Sequence, residues 1–253
     1  MPNIYFRLNS SIAVLSSLIT LIFAGTVLRR YALARRLHML LWGIGLTMYG
    51  IAVMCEALYA AIGWNPVLFR LWYLFGAVLV AAWLGQGTVY LLAPKRVAHA
   101  LLLLLVAGSL YGAVRVFQAV LDPGLMPGGE LSGRAIVTPG VRMLTPFFNV
   151  YGLVALAGGA LYSAWKYGRQ RGMGKRVAGN VLIALGALAP GLAGLFSRLG
   201  ASGYLYLGEL LGTVFLYIGF VLNSAPWRAP AVARSDAILE DRKPVASVDH
   251  IGT

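Results

Sequence analysis

Seven stretches of this chain are apolar for long enough to cross about 30 Å of hydrocarbon as a helix, and any fold must accommodate them first. They fall at approximately 8–28, 39–62, 67–92, 98–121, 144–165, 177–199 and 203–223. Helix stops stand between them: Gly63-Trp64-Asn65-Pro66, Ala93-Pro94-Lys95, and Ala225-Pro226 after the last. Only 11% of the residues are charged and 59% are apolar, where a soluble domain carries about a quarter charged residues. The sequence predicts an all-α, polytopic seven-transmembrane helix bundle over residues 1–223 and a disordered cytoplasmic tail over 224–253. The first run lacks the basic start and small-residue cleavage site of a signal peptide, and Arg29-Arg30 follow it, so it is expected to stay as a helix.

The basic residues give these helices a direction. Arg29, Arg30, Arg35 and Arg36 follow the first run, Lys95 and Arg96 the third, and Lys166, Arg169, Arg171, Lys175 and Arg176 the fifth. Alternate loops thus hold all of these cations and no acid, which places them in the cytoplasm, the N-terminus outside and the C-terminus inside. The opposite loops are nearly neutral, with Arg7, Arg134 and Arg142 against Asp122 and Glu130. Most of the net charge of +13 is therefore a topology signal, matched to a bilayer with anionic inner-leaflet lipids. The cations are spread over short loops and form no single patch, which argues against nucleic acid as a partner. A cell inner (plasma) membrane is the expected location. The outer segment Asp122–Met143, rich in Pro and Gly, reads either as a cap on the bundle or as an unstructured linker.

Several chemistries are excluded or unsupported. The single cysteine, Cys55, permits no intrachain disulfide and no multi-cysteine cluster. No helix interior carries a lysine to hold retinal as a Schiff base. His38 and His99 fall at helix ends and His250 in the tail, so neither a haem pair nor a zinc site is expected. Gly172-Met-Gly-Lys175 lacks the spacing and the preceding strand of a phosphate loop. No cofactor, metal or enzyme activity is expected.

What remains is a set of ionisable residues inside apolar runs, where burial is expensive and function is the first hypothesis. Glu56, Arg70, Arg115, Arg198 and Glu209 all belong, with the orientation above, to the outer third of the bilayer. Polar neighbours share their helix faces: Tyr59 with Glu56, Tyr73 with Arg70, Tyr111 and Gln118 with Arg115, and Tyr206, Thr213 and Tyr217 with Glu209. Two arrangements are open. Glu56 and Glu209 could pair with Arg70 and Arg115 as interhelical ties, or the group could line an outward-facing pocket for a small anionic or amphiphilic ligand. Gln86 and Asn180 form a candidate second polar cluster in the inner half. Asn149, Gly152, Gly159 and Ser163 make a small or polar stripe suited to close packing, and Pro190 is expected to kink the sixth helix.

The run Leu28-Arg-Arg-Tyr-Ala-Leu-Ala-Arg-Arg-Leu-His-Met-Leu-Leu-Trp42, with Glu56-Ala-Leu-Tyr59, Arg70-Leu-Trp-Tyr73 and Ala81-Ala-Trp-Leu-Gly-Gln-Gly-Thr-Val-Tyr-Leu-Leu92, resembles bacterial seven-transmembrane sensor modules. These are the N-terminal seven-helix regions of some membrane histidine kinases. The resemblance covers the first four helices best. It implies a non-enzymatic, receptor-like sensory or accessory module that signals through a cytoplasmic or membrane partner, here without a kinase domain. A small transporter and a structural subunit of a larger membrane complex are the alternatives, although no internal repeat relates the first three helices to the last three.

Overall fold

The computed structural model describes residues 4–126, 131–198 and 204–224, with side chains described over 11–126, 131–192 and 207–224. Among these residues the secondary structure is helical, apart from one isolated antiparallel bridge between Leu121 and Ile136. The helices are α1 (Ile4–Ala34), α2 (Leu37–Ile62), α3 (Pro66–Trp72), α4 (Val80–Leu92), α5 (Lys95–Phe117), α6 (Leu144–Leu153), α7 (Gly159–Gly168), α8 (Gly174–Arg198) and α9 (Tyr204–Ser224). Wider π-helical stretches, Tyr73–Leu79 and Val154–Gly158, join α3 to α4 and α6 to α7 into continuous rods.

Among the described residues, 6 helical rods are long and apolar enough to cross a membrane: Ser11–Ala34, Leu37–Ile62, Pro66–Leu92, Lys95–Phe117, Val141–Gly168 and Leu207–Ser224. The rod α8 is a helix of 25 residues that stands outside those six; its first two turns carry Lys175, Arg176 and Asn180. The distribution of side chains is that of a chain folded in lipid. Leu103 is 74% exposed and Phe147 71%, whereas Ser16, Ser17, Thr20 and Gln86 are all at 0%. Apolar groups outside and hydroxyls inside are costly in water and natural in a bilayer, where internal partners are the only ones a polar group can find. These features are consistent with a multi-pass membrane protein.

Local chemistry sets the helix ends. The first helix extends to Ala34, well past the expected end near residue 28, because Arg29–Ala34 contains good helix formers and continues the hydrogen-bond ladder. Arg35 then turns the chain at φ 52°, and α2 begins at Leu37. At the other end of α2, Gly63 adopts φ 81°, a conformation that suits glycine. Asn65 caps α3, its Oδ1 accepting from the backbone N–H groups of Val67 (2.8 Å) and Leu68 (3.1 Å), with Pro66 at the first helical position.

Close backbone approach replaces hydrophobic driving force inside the bundle. A Cβ on Gly152 would fall 2.2 Å from the Ala81 carbonyl carbon, and one on Gly159 would fall 2.5 Å from Thr88 Cγ2, so the expected small-residue stripe of this rod does pack closely. Asn149 Nδ2 donates to the carbonyl of Ala77, at 2.9 Å, inside the π-helical stretch. A second seam joins α8 to α9, where Gly179 lies against Gly219 and Gly186 against Gly212. These glycines are seven residues apart on each helix, a spacing that keeps them on one face. The helix continues through Pro190, whose ring lies against Gly212.

The segment that follows α5 is a cap. Asp122 N donates to Ala135 O (2.8 Å), Val137 N to Val120 O (3.0 Å) and Val120 N to Thr138 Oγ1 (2.8 Å). Ala119, Ala135, Ile136 and Val141 are buried in one cluster with Phe69, Tyr73, Leu74, Val78 and Val116. Of the two expectations for this loop, the described part of it follows the first.

Candidate functional site

Four of the five charges expected within the membrane, Glu56, Arg70, Arg115 and Glu209, separate into two groups. Arg70 and Arg115 turn to the cap: Arg70 Nη2 donates to Ala119 O (3.1 Å) and Arg115 Nη2 to Pro139 O (3.1 Å). Neither of the two arrangements left open has these bonds: among the described residues the hydrogen-bond partners of both arginines are cap carbonyls, not the glutamates. The Ala119 carbonyl stands where the chain leaves α5 and the Pro139 carbonyl in the cap, and each accepts from one arginine. Tyr73 joins this group, its hydroxyl 2.8 Å from Thr145 Oγ1.

The carboxyl groups form the other group, deep between α2 and α9. Glu56 is 6% exposed, and its Oε1 accepts a hydrogen bond of 2.5 Å from Trp72 Nε1. The Glu209 side chain lies within hydrogen-bonding reach of the Glu56 side chain. Tyr49 holds this part of α9 from α2, donating its hydroxyl to the Glu209 carbonyl at 3.1 Å. Glu209 Oε2 is buried and has no hydrogen-bond partner among the described residues. Tyr59, one turn beyond Glu56, is half-buried. The side chains of Tyr206 and Arg198 lie outside the described residues, as does the segment 225–253.

A layer of hydroxyls from α1 and α9 continues the site. Thr20 Oγ1 and Thr213 Oγ1 are 3.2 Å apart. Each also bonds back along its own helix, Thr20 to Ser16 O (2.7 Å) and Thr213 to Glu209 O (3.0 Å). The two helices run parallel here, since Phe23 packs on Tyr217 and Phe220 further along both. Ser16 and Glu209 therefore stand one turn before the threonine pair, on the same side of it. Ser16 is 0% exposed, and its Oγ has no hydrogen-bond partner among the described residues.

Gln86 and Asn180 do not form one cluster. Gln86 Nε2 donates to Ala98 O at 2.8 Å, and its Oε1 accepts from the Tyr151 hydroxyl, so it ties α4 to α5 and α6. Asn180 Nδ2 bonds to Arg176 O (2.8 Å) and to Asn223 Oδ1 (3.0 Å), closing the far end of the α8–α9 seam. Both belong to interhelical ties, on different helix pairs.

Sequence reasoning missed Ser16, Thr20, Tyr49, Trp72 and Asn223. The signal for the first two was present: Ser16-Ser17-Leu-Ile-Thr20 places hydroxyls four residues apart in an otherwise apolar helix. Trp72 and Tyr49 are aromatic residues whose polar edges acquire a role only once a partner helix is fixed. Among the described residues no group of three or more His, Cys, Asp or Glu side chains is placed to hold a metal ion. No protein-family model, curated protein or solved structure matches the chain.

Proposed function

We propose that this chain is a non-enzymatic, receptor-like or accessory module of a bacterial inner membrane, with seven crossing helices, the N-terminus outside and the C-terminus in the cytoplasm. One observation carries the functional part of this reading: the Glu209 side chain lies against that of Glu56, which is buried inside the bundle. Desolvating carboxyl groups is expensive, and a fold whose only need is to hold two helices together has cheaper means, as the glycine seam of α8 and α9 demonstrates. The same seam supports α8 as the seventh crossing helix, since it packs along α9 for its described length. The basic residues of alternate loops support the orientation.

The chemistry of the site favours a cationic ligand over the anionic one suggested by the sequence. Arg70 and Arg115 each give a hydrogen bond to a cap carbonyl, and between α1 and α9 Ser16 Oγ and Glu209 Oε2 are buried without a hydrogen-bond partner among the described residues. Occupancy would be passed on through α9, which contacts α1, α2 and α8, to a cytoplasmic or membrane partner.

A thermal-unfolding screen of the nanodisc-reconstituted protein tests this. Small organic and inorganic cations, with anionic and amphiphilic compounds alongside, are compared on the wild type and on Glu209→Gln. At least one cation should raise the unfolding midpoint of the wild type by mass action and leave the variant unmoved. A screen in which only anions stabilise, or in which the variant responds equally, removes the carboxyl pair from the function. Flux of a stabilising cation into liposomes would replace the receptor reading with a transporter.

A further inference from the structure

The hydroxyl layer beside Glu209 holds buried oxygens without partners among the described residues. Three hydrogen-bond contacts converge on two threonine hydroxyls: Thr20 to Ser16 O at 2.7 Å, Thr213 to Glu209 O at 3.0 Å, and Thr20 to Thr213 at 3.2 Å. Each hydroxyl has one proton to give. If both are donated to the backbone carbonyls, the two threonine oxygens face each other as bare acceptors. If one is donated across, a carbonyl loses its side-chain partner. One turn away, Ser16 Oγ at 0% residue exposure and Glu209 Oε2 are both buried with no hydrogen-bond partner among the described residues. Four side-chain oxygens from two parallel helices thus stand within one turn of each other, and two of them, Ser16 Oγ and Glu209 Oε2, are buried without a hydrogen-bond partner among the described residues.

We infer that this layer is a binding site for an alkali cation, Na⁺ by preference, held by the Glu209 carboxylate with the hydroxyl oxygens of Ser16, Thr20 and Thr213. The inference rests on the proposed receptor reading and names its ligand. A cation would give Glu209 Oε2 and Ser16 Oγ the partner that neither has among the described residues. Carboxylate and hydroxyl oxygens are hard donors that suit such an ion and do not suit zinc, copper or iron. Calcium takes six to eight oxygens, commonly from several carboxylates, and this layer presents three hydroxyls and one carboxylate, Glu209, whose neighbour Glu56 is already engaged by Trp72. Glu209 lies against Glu56, and two carboxyl groups so close share one proton, so the pair carries one negative charge and balances a single positive one. The site joins α1 to α9, so a bound ion would draw together the first and last helices of the bundle.

The test uses the full chain in nanodiscs of zwitterionic lipid, with the unfolding midpoint followed by tryptophan fluorescence. NaCl is titrated against N-methylglucamine chloride at constant ionic strength, with LiCl, KCl and CaCl₂ run in parallel. Na⁺ should raise the midpoint saturably. Ser16→Ala and Glu209→Gln should each weaken the apparent affinity at least tenfold, while Thr26→Ala, whose hydroxyl bonds only back to Ile22 O on an exposed face, should leave it unchanged. Ser16→Ala removes one oxygen and little volume, so it reports on the site even if Glu209→Gln folds poorly. No saturable rise with Na⁺, or a rise of equal affinity in Ser16→Ala, overturns the inference. If Na⁺ is inert while an organic cation acts through Glu209, the alkali site fails and the receptor reading stands. If neither acts, both fail.

Discussion

Trp72 Nε1 donates to Glu56 Oε1 across 2.5 Å, so a carboxyl group on α2 is held by an indole on α3. The contact fixes Glu56 from α3, and Glu209 approaches it from α9. Removing the donor with Trp72→Phe should cost about 1–3 kcal/mol of unfolding free energy, because the acceptor is buried and can carry charge. In a Glu56→Gln background the amide oxygen still accepts from the indole, but as a neutral group, and the same substitution should cost only about 0.5–1.5 kcal/mol. Reversible unfolding of the four proteins of this double-mutant cycle measures the difference. Strictly additive costs would mean that the indole contributes by packing alone.

Counting along the helices gives the charges an expected depth, but it does not give their pairing. Glu56, Arg70, Arg115 and Glu209 were placed at one level by counting residues along helices, which needs only a rise per residue and a direction. Which of them meet depends on the order of helices around the bundle and on nearby carbonyls, and periodicity holds no record of either. Arg70 and Arg115 illustrate the point, since the Ala119 and Pro139 carbonyls that take them belong to a cap that composition alone left open. The stripe at Asn149, Gly152 and Gly159 was legible because small residues at helical spacing have one evident use in a membrane. The matching glycines of α8 and α9, at 179, 186, 212 and 219, carried an equally plain seven-residue signal that becomes meaningful when both helices are read together. The π-helical stretches left no pattern at all.

The crossing of the α3–α4 and α6–α7 rods should tolerate no side chain at Gly152. A Cβ there would fall 2.2 Å from the carbonyl carbon of Ala81 and 2.3 Å from its oxygen, and backbone atoms cannot turn aside as a flexible side chain can. Gly152→Ala should destabilise by about 1–3 kcal/mol through overpacking. Gly25 is the control: it lies inside α1 with nothing within 4 Å of its would-be Cβ, and Gly25→Ala should gain up to about 1 kcal/mol from helix propensity. Opposite signs for the two glycines in the same unfolding assay would support the crossing as described, and equal signs would contradict it.

Gln86 should behave as a buried tie whose loss strands its partners. It is 0% exposed and serves Ala98 O and the Tyr151 hydroxyl together. Gln86→Leu keeps the volume and removes both bonds, which should cost about 1–3 kcal/mol for each group left unsatisfied. Adding Tyr151→Phe removes one stranded hydroxyl and should recover part of the loss, so the double variant is expected to be more stable than Gln86→Leu alone. Thermal unfolding of the three proteins decides it; a further loss on adding Tyr151→Phe would show that the hydroxyl had found another partner.

The count of crossing helices turns on α8, and cysteine labelling can settle it. Cys55 is buried and is the chain's single cysteine, so Cys55→Ala gives a background free of thiols. Arg134 and Arg171 are exposed, the first on the cap and the second in the turn before α8. With seven crossings, Arg134→Cys should react with a membrane-impermeant maleimide on intact cells and Arg171→Cys only after permeabilisation. Ser202→Cys, just beyond α8 in the sequence, should then behave like position 134. If α8 does not cross, position 202 must stay on the same side as position 171, because nothing else carries the chain over between them. The assignment of sides follows from the basic residues of alternate loops, and the assignment of number from α8, so the three labels test the two independently.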